Sequence, residues 1–287
     1  MNEMTTIETK DTGNYEGGMT ADQAAYMRMG MEPVAGSVPM STSKYLNSPL
    51  YVHAFSTMSL RRMGHDVPTT YDIPTMSRAL ADVADLQEGT RLIAEEREKN
   101  PEFAAWLDAR KPVNLSLDRV KDCAPGTLGA ALREFLGKGY KADFVHNYEP
   151  KSDLDYLMKR IGHTHDLQHL LTGFGPNHGG EHALAYMNIA STYKHFTPEF
   201  ASFLTMANKF VSVALLTRVG LHYPNAMNII LEATRWGIEC GQNLKTLLFM
   251  VDYDSYYDWQ LTDIVKDLGI TFGPDAAWDY TEDLCKG

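Results

Sequence analysis

The sequence predicts an all-α chain, a single-domain helical bundle of roughly nine to eleven helices. Three observations lead there. Apolar residues recur near a 3.6-residue period in segment after segment. Pro, Gly, Ser and Thr stand where such segments start and stop. Strand-like alternation is sparse, with YKADFVH (residues 140–146) the one short extended candidate.

The elements follow in order. Residues 1–44 are polar, acidic and Gly-containing at their start (MNEMTTIETKDTGNYEGGM) and lack the basic and apolar regions of a secretory signal. They read as a loosely ordered segment with one short helix in ADQAAYMRM (21–29). Residues 45–287 read as the helical domain. MSRALADVADLQEGTRLIAEEREKN (76–100) gives two helices or one bent helix, and PEFAAWLDAR (101–110) opens on a proline suited to a first helical position. PGTLGAALREFLGKG (125–139) is entered through Pro125-Gly126 and ends near Gly137 or Gly139. SDLDYLMKRIGHTHDLQHLLTG (152–173) reads as one helix, capped by Ser152, ended by Gly173, with Leu154, Leu157, Met158, Ile161, Leu167, Leu170 and Leu171 along its apolar side. GGEHALAYMNIASTYKH (179–195) is the next. TPEFASFLTMANKFVSVALLTRVG (197–220) has Thr197 as N-cap and Pro198 in the first turn. PNAMNIILEATRWGIECGQNLKTLLFMV (224–251) is a long helix, and YYDWQLTDIVKDLG (256–269) closes the set.

Composition narrows the function. A net charge of -11 argues against a general nucleic-acid binder, which needs a basic face. No run of apolar residues reaches the length of a membrane span, and Lys209 interrupts the most apolar stretch, so that stretch reads as a core helix. Cys123, Cys240 and Cys285 form no C-x-x-C pair and read as free thiols of a reducing compartment.

The chemistry concentrates in HTHDLQHLLTGFGPNHGGEHALAY, which carries His163, His165, His169, His178 and His182 with Asp166 and Glu181 among them. On a helix, His165 and His169 lie on one face, one turn apart, the spacing by which two imidazoles grip one divalent ion. Asp166, about 100° further round, leans toward the same ion or orients a ligand from outside. The glycine-rich LLTGFGPNHGG turns the chain back and brings Glu181 in from the next helix as an oxygen ligand. Two histidines with one or two carboxylates suit zinc, and also iron or manganese. His163 points about 200° away from His165, and with His178 and His182 it reads as a surface or supporting residue. No G-x-S-x-G, Walker or dinucleotide fingerprint is present.

These residues resemble a known family. HDLQH, eleven residues and then Glu181 reproduce the H-D-x-x-H…E signature of the coenzyme Q (ubiquinone) biosynthesis protein 4 family. HLLTGFG, APGTLGAALREFL and RWGIECGQNLKTLLFMVDYDSYYDWQLTDIVKDLGI resemble its flanking patterns, over residues 45–270. The resemblance implies metal ligation by His165, Asp166, His169 and Glu181. It also implies an all-α peripheral membrane protein of quinone biosynthesis. The implied activity is oxidative decarboxylation, in which the carboxyl group of a prenylated hydroxybenzoate-type ring is replaced by hydroxyl. The family's usual Arg and Glu before the H-D are Gly162 and His163 here, Phe174 stands for a common Tyr, and PNHG departs from its loop.

The expected protein is therefore a zinc-type metalloenzyme with Glu181 and Asp166 catalytic and Arg160 forking onto a substrate carboxylate. Its expected partners are a prenylated phenolic or quinone lipid, a membrane surface, other quinone-biosynthesis enzymes and a second copy of itself. It is expected on the cytoplasmic, inner face of a membrane. The competing expectation is a non-catalytic prenyl-lipid or quinone-binding scaffold for a biosynthetic complex. A metal-dependent hydrolase ranks last, since Lys159 and Arg160 alone would form its phosphate patch.

Overall fold

The structure is a computed structural model describing residues 15–16, 19–20, 29, 42–62, 69–140 and 148–280. The chain divides into two units, Met1–Asn47 and Ser48–Gly287. In the first, strands β1 (Tyr15–Glu16) and β2 (Met19–Thr20) pair antiparallel. The helix expected over 21–29 falls outside the described residues except for Met29, which sits in a turn, and YKADFVH lies outside them after Tyr140.

The second unit is all-helical, with fourteen α-helices among the described residues rather than nine to eleven. They are α1 (Pro49–Leu60), α2 (Ile73–Val83), α3 (Leu86–Lys99), α4 (Pro101–Ala109), α5 (Leu117–Val120), α6 (Leu128–Gly137) and α7 (Asp153–His163). After these come α8 (His165–Thr172), α9 (His178–His195), α10 (Pro198–Leu204), α11 (Met206–His222), α12 (Met227–Asn243), α13 (Tyr253–Tyr256) and α14 (Leu261–Leu268). Local chemistry explains most starts. The side chains of Ser48, Asp85, Asn100, Ser116, Thr127, Ser152 and Asn177 each accept a hydrogen bond from a first-turn amide of the helix they precede. Gly173 ends α8 and Gly269 ends α14 in the left-handed conformation.

The higher count arises partly because two segments expected as single helices are broken at a buried threonine. The Thr164 hydroxyl donates to the Arg160 carbonyl at 2.9 Å and separates α7 from α8. The Thr205 hydroxyl donates to the Ala201 carbonyl at 2.7 Å, and α10 and α11 meet there at a 64° bend. A hydroxyl bonded to the carbonyl four residues back bends a helix. Thr197 stands at the start of α10 without capping it; its hydroxyl and amide both donate to the buried Glu96 carboxylate. Among the described residues no single helix is long and apolar enough to cross a membrane. Cys123 and Cys240 are buried free thiols, and burial pushes the Cys240 thiol up to about 11.

The largest apolar core gathers α6, α8, α9, α12 and α14 around Leu132, Leu167, Leu171, Leu184, Ala233 and Ile264. At its centre α9 and α12 cross with their backbones nearly touching. A Cβ on Gly237 would stand 2.2 Å from the Ala183 carbonyl oxygen, and one on Gly241 2.4 Å from that of Met187. Gly237→Ala tests this crossing. The gain in helix propensity is about 1 kcal/mol. The overlap is with main chain, which cannot swing aside, and overpacking costs about 1–3 kcal/mol. The melting temperature followed by circular dichroism is expected to fall by several degrees; an unchanged or raised value would show that the crossing relaxes freely.

Candidate metal centre

The site is built by two short stretches of backbone. On α8 the four-residue spacing brings the His165 and His169 rings edge to face, with centroids 4.7 Å apart. Across the glycine loop, Asn177 accepts from the Gly180 amide at 2.7 Å and starts α9, which puts Glu181 in its first turn. The return is tight. A Cβ on Gly180 would overlap the Gly175 carbonyl oxygen at 1.9 Å, and one on Gly179 would strike Trp278 at 2.4 Å. Only glycine passes at both places, so the run of glycines is a packing requirement at the loop that delivers Glu181.

Three donor groups converge as a result. His169 Nε2 lies 3.3 Å from Glu181 Oε1, His165 Nε2 lies 3.6 Å from Glu181 Oε2, and the two Nε2 atoms are 3.1 Å apart. One ligand atom from each of these residues lies within 4.8 Å of the others. The tautomer of His169 follows from its other nitrogen. Nδ1 donates to the Phe174 carbonyl, which can only accept, so in the neutral ring it is Nε2 that carries the lone pair and faces the carboxylate. Two lone-pair-bearing groups aimed at each other call for a cation between them. A neutral imidazole held by a carbonyl behind it is the usual arrangement of a metal-ligating histidine.

His169 is 4% exposed at its side chain, whereas His165 and Glu181 keep 46% and 38% of theirs. Burial is nevertheless the largest influence on both of the latter groups. The two facts agree if the pair lines a recess: enclosed by protein, yet open to a ligand. Burial acts to raise the Glu181 carboxyl, but without an ion the His169 and His165 rings, in their protonated form, outweigh it by charge and hydrogen bonds and hold the group well below the usual carboxylate range. Burial acts to lower His165, and Glu181 and Asp166 outweigh it, so this histidine is shifted up.

Asp166 is not one of the three converging residues. It is half-buried beside them; burial, with the Glu181 charge, pushes its carboxyl up, against the pull of His165 and His169. Arg160, expected to hold a substrate carboxylate, is spent elsewhere. Its buried guanidinium donates to the carbonyls of Phe249 (2.9 Å), Lys111 (3.3 Å) and Val251. It ties α7 to the turn at Leu248–Met250. His163, His178 and His182 are buried, not surface residues. His182 donates to or accepts from the Thr234 hydroxyl on α12 at 3.0 Å.

A further support carries no signal in the sequence. The segment after α14 crosses the glycine loop. The Gly273 amide donates to the Thr172 carbonyl at 2.7 Å, and a Cβ on Gly273 would meet the Phe174 ring at 2.4 Å. Trp278 meets Phe174 at a tilt and Trp236 edge to face. Phe174 is fully buried in this aromatic group, where a tyrosine hydroxyl would need a partner. The strap thus clamps the residue whose carbonyl orients His169.

Comparison with known proteins places these features in a family context. Residues 98–274 match the family model described as coenzyme Q (ubiquinone) biosynthesis protein Coq4. The chain is similar to the mitochondrial ubiquinone biosynthesis protein COQ4 of Coprinopsis cinerea, 28% identical over 187 residues, which are 62% of this chain and 59% of that protein. It is also similar to the mitochondrial COQ4 homolog of Rattus norvegicus, 23% identical over 190 residues, 64% and 66% of the two chains. The match therefore spans less than two thirds of either relative. The crystal structure of a candidate ubiquinone biosynthesis protein from Nostoc punctiforme superposes with a TM-score of 0.56 at 22% identity, covering 77% of this chain and 94% of that one. At that identity the likeness is one of fold.

Proposed function

The chain belongs to the coenzyme Q (ubiquinone) biosynthesis protein Coq4 family, and from that premise we propose that it is a metal-dependent enzyme of quinone biosynthesis, replacing the carboxyl group of a prenylated hydroxybenzoate-type ring by hydroxyl. The observation that carries this reading is the convergence of His165 Nε2, His169 Nε2 and the Glu181 carboxylate, with His165 and Glu181 partly exposed. The donor set fits zinc, iron or manganese. A divalent ion held there supplies positive charge against the phenolic and carboxylate oxygens of the ring.

The chain's own groups then divide the work. Glu181, the carboxylate that α9 brings to the two imidazoles of α8, would offset part of the charge of an ion held there. To Asp166, beside the triad and shifted up by burial, we assign the proton of the ring hydroxyl; the resulting phenolate is electron-rich enough to release carbon dioxide. Exchange of carboxyl for hydroxyl is a two-electron oxidation. Water supplies the hydroxyl oxygen and dioxygen takes the two electrons, leaving as hydrogen peroxide, so that acid, water and dioxygen give phenol, carbon dioxide and hydrogen peroxide. The test is direct. Metal-loaded protein given a prenylated 4-hydroxybenzoate under air should release carbon dioxide and form the ring-hydroxylated product, read by mass spectrometry. Absence of both would set this reading aside.

A second reading, a non-catalytic scaffold binding prenyl or quinone lipid, draws on Arg160, since the expected partner for a substrate carboxylate is engaged with main chain. In that reading the triad tethers a headgroup among partner enzymes, in a homodimer. Both readings put the protein on a membrane surface, with the bent apolar pair α10–α11 as the segment that touches lipid. Alkaline carbonate should release it from membranes; retention in the pellet would argue for an integral anchor.

A further inference from the structure

We infer that His178 and Tyr280 form a buried hydrogen-bonding subsite beside the metal centre, made for a neutral ring oxygen, a phenol hydroxyl or quinone carbonyl, of the bound ligand. The inference rests on the proposed quinone-biosynthetic role for the choice of ligand, but its geometry stands independently of any turnover.

Both ring nitrogens of His178 are buried without a hydrogen-bond partner, and so is the hydroxyl of Tyr280. The residues are 7% and 3% exposed. Their rings lie against each other, with centroids 4.8 Å apart and planes at 39°. A buried polar group left without a partner destabilises the fold. Three such atoms on two touching side chains form one unpaid set, where most buried polar groups elsewhere in the interior are bonded. Gln168, Thr172 and Thr192, for instance, all find partners within the fold.

The chemistry of the missing partner follows from the groups present. Burial, with the Arg218 guanidinium of α11, lowers the His178 imidazole to about 4 against the opposing charges of Asp279 and Glu181. The ring is therefore neutral at physiological pH and offers one donor and one acceptor. The Tyr280 hydroxyl offers one of each. Such a pair suits an uncharged oxygen and gives no ion pair to a carboxylate or an ammonium.

Position connects this pair to the metal centre. His178 opens α9 and Glu181 stands three residues on, so the two are neighbours on one side of the helix. Tyr280 comes from the strap that also packs Trp278 against Gly179. A ring held by the triad through one oxygen would present another oxygen to this pair. PNHG, where His178 stands, is also where this chain departs from the family pattern.

The experiment uses full-length, metal-loaded protein and a short-prenyl 1,4-benzoquinone with its hydroquinone, titrated by calorimetry. Tyr280→Phe removes only the hydroxyl, and His178→Phe replaces the imidazole by a larger ring without polar atoms. Each is expected to weaken binding about tenfold, the worth of a neutral hydrogen bond in a buried site. Metal content should be unchanged, since neither residue belongs to the triad. Parental affinity in either variant overturns the subsite, and in that case the orphaned groups serve only water. Failure of the parent protein to bind either probe at millimolar concentration also overturns it. Binding that is lost in both variants, in a protein that never decarboxylates, leaves the subsite standing and removes the decarboxylase reading instead.

Discussion

His169→Ala is expected to yield protein without its metal. His169 contributes one of three converging ligand atoms, and it is the most enclosed of the three. Its replacement leaves His165 and Glu181, both partly exposed, to hold the ion alone. Loss of residues that merely support a ligand weakens metal binding about 10–100-fold; removal of the ligand itself should exceed the upper figure. Elemental analysis of protein purified without chelator should find about one ion per parent chain and almost none in the variant. The change also strips the Phe174 carbonyl of its donor, a loss of about 1–3 kcal/mol in a buried place. Circular dichroism on the same sample separates metal loss from unfolding. A folded variant with full metal occupancy would refute the ligand assignment.

Glu181→Gln is expected to separate holding the ion from using it. Glutamine keeps the size and one carbonyl oxygen but removes the charge that both imidazoles face at 3.3 and 3.6 Å. Affinity falls, yet two imidazoles and an amide oxygen remain, and excess metal should restore occupancy. The charge balance at the ion changes by a full unit, and with it the acidity of any oxygen bound there. Product formation by the metal-saturated variant is expected to drop by about 10²-fold or more. Helical content should stay at the parent level, because the glycine loop and the Asn177 cap are untouched. Turnover at the parent rate in folded, metal-loaded protein would refute a catalytic role for Glu181 and favour the scaffold.

Asp166 enters between these two results. It lies next to the triad, not within it, so Asp166→Asn should leave the ion in place and act on turnover alone. That outcome would place it with proton transfer, and loss of the ion would return it to the ligands that the family resemblance implies.

Sequence by itself determined what is local. The 3.6-residue period located most of the helices, Ser152 and Gly173 marked the ends of the α7–α8 segment, and four-residue spacing was enough to bring His165 and His169 together. These follow from geometry within one turn of backbone, where neighbours in sequence are neighbours in space. The approach of Glu181 was also legible, because a short loop rich in glycine can only return the chain nearby. What tertiary structure decided lies between residues far apart in sequence. It broke two apparent helices at Thr164 and Thr205. It committed Arg160 to carbonyls of Lys111, Phe249 and Val251, and it buried His163, His178 and His182. It also laid the Trp278 strap over Phe174, so that a carbonyl in the loop fixes the tautomer of His169. Spacing within a helix says which side chains share a face. Whether that face meets solvent, a carbonyl or another helix is set by the packing of the whole chain, because burial and hydrogen-bond partners belong to the assembled core.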